Sequence, residues 1–153
     1  MNSLMTDQDY LTGRSSLLSV GLLSLVNIVL TAVQADFTFV VSSYAVEYLS
    51  AMSIVVKMMF GNTAFGFGLL IASAMVACLY LICWHLSQYK AIWMQIATVM
   101  FGLDTLWMIL AMLSDPGIGE LISLAFHGYV MYELVRAWIA IKRQKHWDSL
   151  SGY

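Results

Sequence analysis

The chain has 153 residues, 61% of them hydrophobic and 10% charged, with a mean hydropathy of +0.80. A soluble domain carries about 25% charged residues, so polar side chains are too few to cover a water-facing surface, and the excess apolar area faces lipid. The net charge of −2 is small and excludes nothing, but seven Lys and Arg in all are too few for a basic nucleic-acid face.

A membrane-spanning helix takes roughly 20 mostly apolar residues, and four stretches qualify. The first is residues 17–33, "LLSVGLLSLVNIVLTAV". "VQA" before Asp36 resembles a signal-peptidase site, but the apolar run exceeds the usual ~7–15 residues and acids precede it, so this segment reads as a retained helix. Residues 37–60 are apolar yet hold Glu47 and Lys57. An extension of the first span, a re-entrant pair and an interfacial or broken helix all fit, and an interfacial amphipathic helix is the preferred expectation. "GNT" at 61–63 offers an Asn or Thr cap for the second span, residues 64–86. "SQYK" at 87–90 joins it to the third, residues 91–113, and "SDPG" at 114–117 holds the only proline and turns the chain into the fourth, residues 118–141. The tail, 142–153, opens on a basic cluster that reads as a stop-transfer anchor with possible contact to anionic headgroups. The expected fold is an all-α membrane bundle of four transmembrane helices in a single domain.

Basic residues set the orientation. With the N-terminus inside, Arg14, Lys90, Arg136, Lys142, Arg143 and Lys145 fall on the cytoplasmic side and only Lys57 outside. The expectation is a multi-pass protein of the cytoplasmic membrane with both termini cytoplasmic.

Ionisable residues inside spans cost about 2.5–3.5 kcal/mol each on insertion scales and therefore face protein or water. Asp104 in "FGLDTLWMIL" has no Lys or Arg within ten residues. Counted from the middle of the "SDPG" turn, Asp104 lies 11.5 positions before and His127 11.5 positions after, which puts both roughly 17 Å below it. They form a candidate buried polar pair, either an interhelical clamp or a proton-responsive site. Glu120 and Ser123 share a helix face with His127 and suggest a polar approach from the outer surface, or a polar seam. Glu133 and Arg136 are spaced for a structural ion pair. Asn27 is placed for an interhelical hydrogen bond, and Ala64, Gly68 and Ala72 form a small-residue stripe for helix packing.

Cys78 and Cys83 lie five apart, a spacing that turns them away from each other on a helix and suits small core residues. No metal-ligand spacing, cofactor signature, phosphate loop or hydrolase motif occurs. The blocks "NIVLTAVQADFTFVVSSYAVEYL", "FGLDTLWMIL" and "FHGYVMYELVRAW" resemble a group of small, uncharacterised bacterial four-helix membrane proteins. The resemblance implies a bacterial cytoplasmic-membrane protein and brings no reaction, ligand or partner with it. The leading expectation is a non-enzymatic subunit, scaffold or regulator whose partners are the bilayer and a second copy or another membrane protein. A proton-linked oligomeric transporter or channel using Asp104 and His127 comes second, and an intramembrane enzyme third.

Overall fold

The computed structural model describes residues 7–35, 42–113 and 117–150. They form five helices: α1 Gln8–Ala32, α2 Tyr44–Phe60, α3 Thr63–Ser87, α4 Ile92–Met112 and α5 Ile118–Leu150. This overturns the expected four-helix bundle. Three helices, α1, α3 and α4, are long and apolar enough to cross a membrane. The stretch expected as the fourth span lies in α5, where Glu120, His127 and Glu133 interrupt the apolar pattern. Of residues 37–60, expected as an interfacial, broken or re-entrant segment, 44–60 form α2, which packs against α1, α3 and α4 and buries Val46, Ser50, Ser53 and Val56.

Local chemistry accounts for the helix limits. The Asp7 side chain accepts from Asp9 N and starts α1, nine residues before the expected span. The polar first turns are held because the Tyr10 hydroxyl donates to Ser87 O at 2.6 Å and Arg14 Nε donates to Ser87 Oγ at 3.0 Å. Helix α2 ends on Gly61 in the left-handed region (φ 61°), and the Asn62 side chain accepts from Phe65 N to cap α3. Glycine takes that φ without a Cβ penalty, so α2 and α3 fold as an antiparallel hairpin. The expected tail continues α5 as helix through Leu150. Before and within that tail, Arg136 pairs with Asp9, and Arg143 lies 4.0 Å from Asp7 and 3.9 Å from Asp9. The start of α1, the joint between α3 and α4, and the Arg136–Arg143 stretch of α5 thus share one basic end. The turn at 114–116 and the Asp36 position of the possible cleavage site lie outside the described residues.

The interior is divided along its length. The larger apolar cluster draws Tyr10, Leu17, Tyr80, Met94, Phe101 and Leu134 from α1, α3, α4 and α5, with no residue from α2. The smaller cluster, Ile28, Val46 and Ala77, joins α2 to α1 and α3. Between and around them the buried polar residues include Ser24, Asn27, Ser43, Ser73, Asp104 and His127. Apolar side chains such as Leu103, Leu106 and Leu110 point outward. Polar groups inside and a greasy exterior are the reverse of a water-soluble bundle and are what a lipid-facing surface requires.

In lipid, helices associate through close packing and hydrogen bonds rather than hydrophobic burial. A Cβ at Gly13 would stand 2.6 Å from Ala137 Cβ and 3.1 Å from Glu133 O, so α1 and α5 nearly touch there. At Gly66 a Cβ would meet Ser53 O at 2.9 Å. At Gly68 it would meet nothing within 4 Å, and Ala64 and Gly68 are exposed while Ala72 is half-buried. Within the chain, the buried face of α3 carries Gly66, Ser73, Ala77 and Tyr80. Gly13→Ala should therefore lower stability by about 1–3 kcal/mol through overpacking against a rigid neighbour, whereas Gly68→Ala should change it by less than about 0.5 kcal/mol for want of any contact. Thermal unfolding of both variants in one detergent compares them directly.

Candidate functional site

Helix α2 starts inside the bundle. Ser43 N donates to Ser24 Oγ at 3.0 Å, and Asn27 Nδ2 donates to Ser42 Oγ at 2.8 Å. Ser24 lies eight residues short of the end of α1 at Ala32, and Asp104 eight short of the end of α4 at Met112. Eight helical residues rise about 12 Å, so the first turn of α2 sits that far below the bundle end where α1 and α4 finish.

A helix that begins there brings N–H groups with no partner in their own helix and the positive end of its dipole. Serine 43 holds the cap position yet makes no side-chain capping bond. Asp104 of α4 does the capping in its place. Its Oδ2 accepts from Tyr44 N at 2.9 Å and its Oδ1 from Ala45 N at 2.7 Å. The Asp104 side chain is 3% exposed, so these two bonds replace its hydration. One contact solves both the acid's desolvation and the helix start.

His127 of α5 completes the site. Its Nε2 lies 3.5 Å from Asp104 Oδ2, and the residue is fully buried. The ring stacks on Phe101, centroids 4.9 Å apart, and meets Phe126 edge-on. Its Nδ1 lies 2.9 Å from the Ser123 carbonyl oxygen. A carbonyl can only accept, so Nδ1 carries the hydrogen. In the neutral ring Nε2 is then a bare acceptor, and Nε2 has no hydrogen-bond partner. Nε2 faces the Asp104 carboxylate across 3.5 Å.

The structure brings Asp104 and His127 together and adds to them the start of α2. Ser123 is buried behind His127 and supplies its carbonyl. Glu120 is half-buried, and with Glu47 of α2 it lies close enough for their charges to interact. Asn27 bonds to Ser42, the residue before the cap. Glu133 and Arg136 are not brought together as expected: Arg136 turns to Asp9 of α1, and Glu133 is buried with Oε2 unpartnered. The reason is that α1 passes close to α5 at Gly13, which puts Asp9 within reach. Among the described residues no group of three or more His, Cys, Asp or Glu is arranged to hold a metal ion. Both cysteines are free, Cys83 buried and Cys78 exposed.

Sequence reasoning missed the principal partner of Asp104, because that partner is backbone. It also missed Tyr44, Tyr48 and Trp107, whose rings cluster with centroids 5.3–6.5 Å apart beside the acid. The only available signal was negative: "SSYAVE" has no strong capping acid of its own ahead of α2.

Asp104→Ala should destabilise the fold by about 2–4 kcal/mol, since it strips two buried N–H groups and leaves His127 without its charge partner. His127→Phe, which keeps the stack on Phe101, should cost less. The double variant should show a coupling of about 0.5–3 kcal/mol; strictly additive losses in equilibrium unfolding would count against the pair. Hydrogen exchange at Tyr44 and Ala45 should speed up in Asp104→Ala and stay slow in His127→Phe. No family model, curated protein or solved structure matches this chain, so the resemblance to small bacterial membrane proteins gains no support from these comparisons.

Proposed function

We propose that this protein is a non-enzymatic membrane subunit, scaffold or regulator that acts through helix packing with itself or a partner. The single observation that supports this reading is the full use of Asp104 in holding α2. Both carboxylate oxygens take backbone N–H groups, and the Asp104 side chain is 3% exposed. An acid that moves ions or activates water needs access to it, whereas one that fixes a helix start needs sealing. The broad apolar exterior then serves lipid and protein neighbours alike. The basic end of the bundle is assigned to the cytoplasm, because Arg14, Lys90, Arg136, Lys142, Arg143 and Lys145 gather there while Lys57 lies near the other end.

A second reading has one observation in its favour. His127 Nε2 is buried, unpartnered and aimed at Asp104, with Glu47 and Glu120 nearby. A buried imidazole facing a carboxylate is also the element a proton-linked carrier or channel would use.

Reconstitution separates the two. In proteoliposomes with an imposed pH gradient, the protein should dissipate the gradient no faster than empty vesicles, and Asp104→Asn should behave identically. Purification in mild detergent from its native membrane should yield either a homo-oligomer or a stoichiometric membrane partner. A proton flux that Asp104→Asn abolishes would overturn the subunit reading in favour of transport.

A further inference from the structure

A second site stands apart from Asp104, where α1 ends against the α2–α3 hairpin. A cavity of about 300 Å³ opens there. Its two ends differ in chemistry. Gln34, Lys57 and Thr63 line it near the helix ends, Met58 and Phe67 form its exposed rim, and Ile54 and Leu70 line it further in. Leu70 also packs on the Ile28, Val46 and Ala77 cluster, which fixes the apolar end as the deep one. Gln34 holds a left-handed backbone (φ 56°), a conformation uncommon outside glycine. Lys57 is exposed, and its stem lies along the cavity wall, so its ammonium can reach the polar mouth.

We propose that this cavity binds one acyl chain of an anionic phospholipid, with the phosphate at Lys57 and the chain against Ile54, Phe67 and Leu70. The volume suits a chain segment of roughly ten methylene-sized groups, each taken as about the ~30 Å³ of a water molecule. That is too small for both chains of a lipid. The rim is greasy, since Met58 and Phe67 are both exposed, so the mouth is open to a bilayer sideways. Charge complementarity selects the headgroup. Lys57 is the one Lys or Arg that lies away from the basic end, and among the described residues it makes no ion pair. A zwitterionic headgroup would set its own ammonium against that lysine, whereas a net-negative one would not.

The test is lipid retention by the intact, delipidated protein, read by native mass spectrometry with phosphatidylglycerol and phosphatidylcholine of identical chains. The wild-type protein should retain the anionic lipid about five-fold better, the ratio expected for one basic residue at a lipid surface. Lys57→Gln should bring that ratio close to one without abolishing retention of either lipid. Leu70→Trp, which fills the deep end, should reduce retention of both. Helicity and unfolding temperature of each variant establish that it is folded, and a variant that fails to fold is replaced by Lys57→Met or Phe67→Trp. Equal wild-type retention of the two lipids overturns the proposal. So does a preference that survives Lys57→Gln, which would trace it to the basic end, and so does retention unchanged by a filled cavity.

Discussion

The bond set between the Asp104 carboxylate and the first two amides of α2 is the constraint on which the rest of this structure depends. A helix that begins within a bundle, away from water, exposes N–H groups that the solvent cannot satisfy. Leaving one buried and unpaired costs about 1–3 kcal/mol, and burying an unpaired carboxylate costs more. Each group is untenable alone and stable with the other. Their meeting fixes the height of α2 against α4, and so also the point at which the chain re-enters the bundle after α1. The contacts of Ser42 with Asn27 and of Ser43 with Ser24 then follow, because the chain must pass α1 to reach Asp104.

The same constraint explains where polar atoms lie. Serine hydroxyls link α2 to α3: Ser50 and Ser73 share a hydrogen bond of 2.7 Å, and Ser73 also donates to Val46 O. Such bonds are worth about 0.6–2 kcal/mol each between membrane helices, so no single one holds α2 in place. Together with the close approach at Gly66 they keep the hairpin flush. The larger apolar cluster lies in the part of the bundle that α2 does not reach, where four helices fill the section. Beyond the polar layer α2 makes a fifth.

The two ends of the molecule are closed by different means. At the basic end, Asp7 and Asp9 of α1 meet Arg136 and Arg143 of α5, and Arg14 reaches the last turn of α3. Charges exposed to water contribute little each, but they lie across the helix ends and tie three of them together. The opposite end has no such ties among the described residues. It is there that α1 stops short of full contact and an amphipathic cavity opens beside Lys57.

By itself the sequence pointed to helices long and apolar enough to cross a membrane, three of which the structure holds, and to the buried polarity of Asp104 and His127 and their matching depth. Low charge, apolar runs of bilayer length and the counting of residues from a proline turn are one-dimensional signals, and a helix converts count to height. It also narrowed the cap of α3 to Asn62 or Thr63, of which the structure uses Asn62. Only the tertiary structure decided the number of helices, because residues 44–60 carry apolar side chains that suit an interface and a bundle interior equally well. The partner exchange at Arg136 was likewise invisible: Asp9 lies 127 positions away, and Glu133 is the nearer acid until α1 packs across it. The small stripe at Ala64, Gly68 and Ala72 has the right spacing for contact, yet spacing does not say which face meets a neighbour. The chief partner of Asp104 was beyond any reading of side chains, since backbone amides have no letter in the sequence. Their availability arises only when a helix is made to start inside the bundle.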